Sequence, residues 1–207
     1  KLAPDYAPAH CSVGNALQSM GRLREALAGY RRATELATDY AEAHSNLANA
    51  LHALGQLDQA ETSCRAALRI KPDFPQALCN LGNTLHAMGR LEEATASYNR
   101  ALQIEPAYAD ALSNLGNTLQ AQGQHEEAVA SYRRALSINP MLAQAHSNLA
   151  NTLHSLGRLD EAEACCHNAL QFKPDFAEVY SNLGNALQAQ GRLDEAIASY
   201  RRALEIR

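Results

Sequence analysis

Asparagine recurs in this chain at places where a helix would not choose it. Asn46, Asn80, Asn114, Asn148 and Asn182 follow one another at intervals of 34 residues, with Ser12 in the place before them. A second set keeps the same interval without exception: Asn15, Asn49, Asn83, Asn117, Asn151 and Asn185. A carboxamide carries two N–H donors and one carbonyl acceptor. It can therefore pair with both polar groups of a peptide unit, and a row of carboxamides can hold an extended chain by its backbone. The competing reading is structural, an asparagine tying one helix to its neighbour. Both readings stay open for the Asn49 set. For the Asn46 set we expect peptide binding, because asparagine lowers helix propensity by a few tenths of a kcal/mol each time while other exposed columns (Glu35, Arg69, Gln103, Ser137) have drifted.

The elements that would position these groups follow from the same period. Gly21, Gly55, Gly89, Gly123, Gly157 and Gly191 are also 34 residues apart, and self-similarity of this length means one supersecondary motif copied along the chain. The spacing divides the sequence into repeats at 7–40, 41–74, 75–108, 109–142 and 143–176. A shorter one follows at 177–207, and residues 1–6 match the end of a preceding repeat. Leu47, Leu51 and Leu54 fall on one helical face. The glycine then ends that helix in the left-handed conformation. A second helix runs on to Pro72, Pro106, Pro140 or Pro174, which it cannot include. Alanine is invariant in the Ala26 and Ala33 columns, where paired helices must approach closely. Strand-like alternation is absent from the sequence.

These residues carry a resemblance. The pattern N-L-[GA]-N-x-L-x-x-x-G-x-x-x-x-A-x-x-x-[YC]-x-x-A-L-x-[IF]-x-P is similar to the tetratricopeptide repeat (TPR) over essentially the whole chain. The bulky aromatic usual near the start of the first helix is replaced by His10, His44, Leu78, Leu112 and His146, and kept only at Tyr180. The resemblance implies an all-α fold, a right-handed superhelical solenoid of antiparallel helix pairs forming one continuous body, with the asparagines on its concave side. The asparagine row also resembles the superhelical repeat domain of O-linked N-acetylglucosamine transferase. That implies an alternative role as the substrate-docking arm of a larger glycosyltransferase.

Composition narrows the function. The net charge of −4 is wrong for a nucleic-acid footprint, which needs a clustered basic face. No apolar run is long enough to span a membrane. Five cysteines without framework spacing point to a reducing, cytoplasmic setting, and Cys64 and Cys166 read as buried residues in a column otherwise filled by tyrosine. His52 and His86 lack the further ligands of a zinc site. The sequence contains no nucleophile, phosphate-loop or metalloprotease motif. We therefore expect no enzyme activity, no cofactor and no metal, and a protein or extended peptide as partner. The repeat begins and ends out of phase with the chain, which predicts apolar end faces and head-to-tail self-association.

Overall fold

A computed structural model describes residues 5–206. Of the six residues expected to end a preceding repeat, 1–4 lie outside the described residues, as does 207. The described residues form twelve helices and no strand: α1 (Ala7–Ser19), α2 (Leu23–Leu36), α3 (Ala41–Ala53), α4 (Leu57–Ile70), α5 (Pro75–Ala87), α6 (Leu91–Ile104), α7 (Ala109–Ala121), α8 (His125–Ile138), α9 (Ala143–Ser155), α10 (Leu159–Phe172), α11 (Ala177–Ala189) and α12 (Leu193–Ile206). The all-α helical-repeat expectation is met. Each repeat is a hairpin of one odd and one even helix.

The turn inside each hairpin is dictated by its glycine. Gly55 has φ +73° with nothing near an added Cβ, so the conformation and not the space demands glycine there. Its N–H bonds the His52 carbonyl at 2.9 Å, and the next N–H, of Gln56, reaches back to Leu51 at 2.9 Å. That pair of bonds caps the orphan carbonyls of the helix end. The same closure recurs at Gly21, Gly89, Gly123, Gly157 and Gly191. At the other end of each even helix the chain turns extended, as at Lys71, just before the proline.

The chain divides into two compact units, 1–106 and 107–207. In the N-terminal unit, α1 pairs with α2, α3 with α4 and α5 with α6. Each even helix then packs on the next odd one, and α3 packs on both α1 and α5. The even helices α2, α4 and α6 keep their backbones more than 8 Å apart throughout. The C-terminal unit repeats this scheme, with α9 packed on α7 and α11. Within each unit the odd helices thus form a close-packed row and the even helices stand apart. A layer that is tight on one side and open on the other bends toward the tight side, so the odd row lines the inside of each bend.

The core is built from the invariant columns. Ala26, Ala33, Ala60, Ala67, Ala94, Ala101, Ala128 and Ala135 are all 0 % exposed, so nothing larger fits between the paired helices. Tyr30, Tyr98 and Tyr132 are the largest fully buried side chains. Each lies against a glycine of its own odd helix: a Cβ at Gly14, Gly82 or Gly116 would meet the ring at 2.6 Å. Tyr200 sits the same way against Gly184. Arginines at the turns stitch repeats together from outside. Arg90 pairs with Glu93 of its own repeat and Glu61 of the one before, both at 2.7 Å, and Arg192 does the same with Glu195 and Glu163.

Candidate functional site

Both asparagine sets lie on the odd row, and the structure shows what each amide already holds. In the N-terminal unit, Asn46 Nδ2 donates to Asn15 Oδ1 at 3.0 Å and to Cys11 Sγ at 3.5 Å. Asn80, 4 % exposed, donates to the backbone and hydroxyl oxygens of Ser45 at 3.2 and 3.1 Å, and its Oδ1 accepts from Gln76 at 3.2 Å. In the C-terminal unit, Asn148 Nδ2 donates to Asn117 Oδ1 at 2.6 Å while its Oδ1 accepts from Gln144 at 3.0 Å. Asn182 donates to Ser147 Oγ at 3.2 Å. Asn114 is half-buried and also partnered. Within each unit, Asn46, Asn80, Asn148 and Asn182 therefore sew an odd helix to the one before it. These amides belong to the framework as well as to the surface.

The Asn49 set is held from the other side, by the tyrosines. The hydroxyls of Tyr30, Tyr98, Tyr132 and Tyr200 lie 2.9, 2.7, 2.7 and 2.8 Å from Oδ1 of Asn15, Asn83, Asn117 and Asn185. Gln18, Gln120 and Gln188 share three of these hydroxyls through Oε1 at 2.8, 3.1 and 2.9 Å. Burial pushes the Tyr30 hydroxyl up to about 12 and raises that of Tyr132 further, so both keep their proton and donate. Repeats two and five carry Cys64 and Cys166 instead, and no hydroxyl reaches the asparagine. There Asn49 Oδ1 accepts from Gln18 of the preceding repeat at 2.9 Å. Asn151 is exposed and its side chain has no partner among the described residues.

The lone-pair count decides what remains for a guest. Asn15 Oδ1 accepts from Asn46 and competes with Gln18 Oε1 for the one proton of Tyr30; Asn117 Oδ1 accepts from Asn148 and competes with Gln120 Oε1 for that of Tyr132. Two bonds fill a carbonyl oxygen. Framework groups already crowd these oxygens while the Nδ2 groups of Asn15 and Asn117 hold no acceptor among the described residues, so the two-sided pairing expected of every amide narrows toward donation from Nδ2. The odd helices also contain no lysine or arginine; among the described residues each of these cations stands on an even helix or a turn. Glu42, Asp110 and Glu178 stand in the first turns of α3, α7 and α11, so the odd row is a polar face without lysine or arginine, with His52, His86 and His154 half-buried along it. Among the described residues no three ligand-type side chains gather as a metal would need, and no helix is long and apolar enough to cross a membrane.

The cysteines do not add a reactive centre. Burial raises Cys64 and Cys166 to about 12 and Cys165 to about 11, far from thiolates at neutral pH. The sequence reading missed the tyrosine hydroxyls and the Gln76 and Gln144 bonds one turn before Asn80 and Asn148. A signal for the first was present: glycine appears in the Gly14 column whenever tyrosine appears in the Tyr30 column, and alanine whenever cysteine does.

No curated protein sequence matches this chain. Among solved structures it is similar to MamA, at 25 % identity and a TM-score of 0.70 over 77 % of this chain and 94 % of that one. It is similar to YrrB, described as a TPR protein with an unusual peptide-binding site, at 23 % identity and a TM-score of 0.68 over 86 % and 92 %. A subunit of the APC/C Cut9–Hcn1 hetero-tetramer superposes with a TM-score of 0.91 at 18 % identity, over 99 % of this chain and 40 % of its own length. The TPR repeat family model matches residues 14–55, 48–89, 82–123, 116–157 and 150–191. The tetratricopeptide repeat model matches 177–207. The 34-residue hairpins, their glycine closures and these matches give one result: this chain belongs to the tetratricopeptide repeat family.

Proposed function

We propose that this TPR array is a protein-interaction scaffold whose odd-helix row binds an extended peptide through its main-chain carbonyl oxygens. The observation that carries the reading is that framework groups engage Oδ1 of Asn15 and Asn117 while their Nδ2 donors hold no acceptor among the described residues, on a face without lysine or arginine. Asn83, Asn151 and Asn185 carry the Asn49 set within their units, where Asn46, Asn80, Asn148 and Asn182 tie neighbouring odd helices together and Asn114 belongs to the same column. A peptide held in this way is read by its backbone, so sequence preference comes from the groups between the asparagines. Fluorescence polarisation against a library of extended peptides tests it. Asn117→Asp keeps the oxygen that accepts from Tyr132 and Asn148 but removes the amide donors. With Asn151→Ala, which disturbs no framework bond, it should weaken binding by about fivefold per lost bond. Unchanged affinity in a folded double variant would discard the reading.

A second reading, head-to-tail self-association, rests on the end faces. Val13 is 55 % exposed, whereas Leu47, Leu81, Leu149 and Leu183 in its column are 3–8 % exposed, on odd helices that pack against an even helix of the preceding repeat. On α12, Leu204 is 73 % exposed where its counterpart Leu102 is 9 %. These two surfaces match the two sides of every internal junction, whether a further repeat or a second copy covers them. Light scattering over a concentration series should show mass growing with concentration and growth abolished by Val13→Glu; a constant monomer mass removes the idea.

A further inference from the structure

The side of the even helices carries a different surface. Between α4 and α6 runs a groove of about 470 Å³, floored by Leu78 and Leu81 of α5, walled by Leu68 and Ala96, and rimmed by Arg65, Arg69 and Arg100. No carboxylate lines it. The acids nearest the rim are shared: Glu61 serves both Arg65 and Arg90, and Glu93 serves Arg90 at 2.7 Å with Arg65 only at 4.0 Å. Arg100 spends one N–H on the Pro72 carbonyl at 3.0 Å and stands 3.9 Å from Asp73. Arg69 is exposed and has no partner among the described residues.

Other junctions of the same geometry lack this charge. Between α2 and α4 the equivalent places hold Arg31, Glu35 and Ala66, and the groove there is lined by Asp58 as well as Arg31, whose Nη2 already donates to Gln59 at 3.2 Å. In the C-terminal unit they hold Arg133, Ser137 and Asn168, then His167, Gln171 and Arg202. Three cations around an apolar floor are thus a property of one junction and not of the repeat.

We propose that this groove docks an acidic amphipathic helix of a partner protein. A helix suits a trough between two helices, its apolar stripe at i, i+3, i+4 and i+7 resting on Leu68 and Ala96 above the buried Leu78 and Leu81. Carboxylates flanking that stripe meet Arg65, Arg69 and Arg100, and arginine pairs with carboxylate in a forked geometry that lysine cannot offer. The occupant differs from the odd-row guest in conformation and charge, so the array holds two partners on opposite sides.

The probe is a synthetic helix of about four turns with a leucine stripe flanked by glutamates, titrated into the intact chain by fluorescence polarisation. Binding should weaken roughly tenfold on Arg69→Glu, an exposed change that breaks no bond in the fold. It should also weaken steeply with added salt, and the same helix with lysines in place of the glutamates should not bind. Asn117→Asp, on an odd helix of the C-terminal unit, should leave it unaltered, which separates failure here from failure of the odd-row reading. Equal binding of the glutamate and lysine helices, insensitivity to Arg69→Glu, or a response to anionic phospholipid vesicles with none to the helix would overturn the proposal.

Discussion

Repeats two and five differ from the other four at one pair of places, and the difference shows how this array sets the distance between its helices. Where the even helix carries Tyr30, Tyr98, Tyr132 or Tyr200, the odd helix opposite has glycine, and an added Cβ would stand 2.5–2.6 Å from the ring. Where the even helix carries Cys64 or Cys166, the odd helix has Ala48 or Ala150, and all four side chains are 0–1 % exposed. A mid-helix glycine costs about 1 kcal/mol against alanine, which a buried aromatic more than offsets. The pair is the unit of packing: volume added on one helix is removed from the other, and the spacing stays constant. The exchange also reaches the surface, because only the tyrosine repeats send a hydroxyl through to the asparagine row.

The sharpest way to break this comparison is to move one member of a pair. Tyr132→Cys in a glycine repeat leaves a cavity against Gly116 and should cost about 3 kcal/mol in denaturant unfolding. Gly116→Ala alone forces a methyl into the Tyr132 ring. It should cost about 2 kcal/mol after its gain in helix propensity. Combined, the two recreate the pair found in repeats two and five, and should cost at least ~1 kcal/mol less than their sum; strict additivity would mean the pairing is coincidental. Tyr132→Phe keeps the ring and removes only the hydroxyl. It should lose about 1 kcal/mol and free one lone pair on Asn117 Oδ1.

The smallest effect concerns pH and lies within the Cys166 repeat. His146 stacks on Phe172 with ring centroids 6.1 Å apart, its Nδ1 buried without a partner and its Nε2 3.0 Å from the Pro140 carbonyl. Burial lowers its pKa from the ordinary 6.5, against the opposing pull of the Pro140 carbonyl. The unfolded chain then binds the proton more readily than the folded one. Stability from this site is therefore complete above pH 6.5 and falls as the pH drops through that value toward the folded pKa. His146→Leu, the residue its column already uses at Leu78 and Leu112, should flatten the dependence of the melting temperature on pH between 5 and 7, roughly the span over which histidine titrates.

Much of this was readable from residue order, because a solenoid makes its contacts at short and constant sequence separation. Gly55 announced a left-handed turn, Ala26 and Ala60 a close helix pair, and Pro72 the end of α4. What was not readable was the occupancy of the amides. Asn46 and Asn148 look spare in sequence, since nothing near them in the chain is an obvious partner. Their acceptors, Asn15 and Asn117, stand 31 residues earlier, and only the packing angle between successive odd helices makes that separation a contact. Asn151 and Asn117 look equivalent by register, yet one is unpartnered and the other engaged, because Tyr132 on α8 brings a hydroxyl to Asn117 whereas Cys166 holds the matching place opposite Asn151.

Residue order alone determined the period, the helix pairs, their turns and the family, for each of these depends on local conformational preference and on apolar spacing along one helix. The tertiary structure alone decided which polar groups are already bonded and which still face a partner. Hydrogen-bond capacity is counted over all neighbours in space: a carbonyl with two donors has none left to give, whatever its place in the repeat. The same holds for charge, since Arg65, Arg69 and Arg100 come from two helices and form one rim only because α4 and α6 stand apart over the leucines of α5.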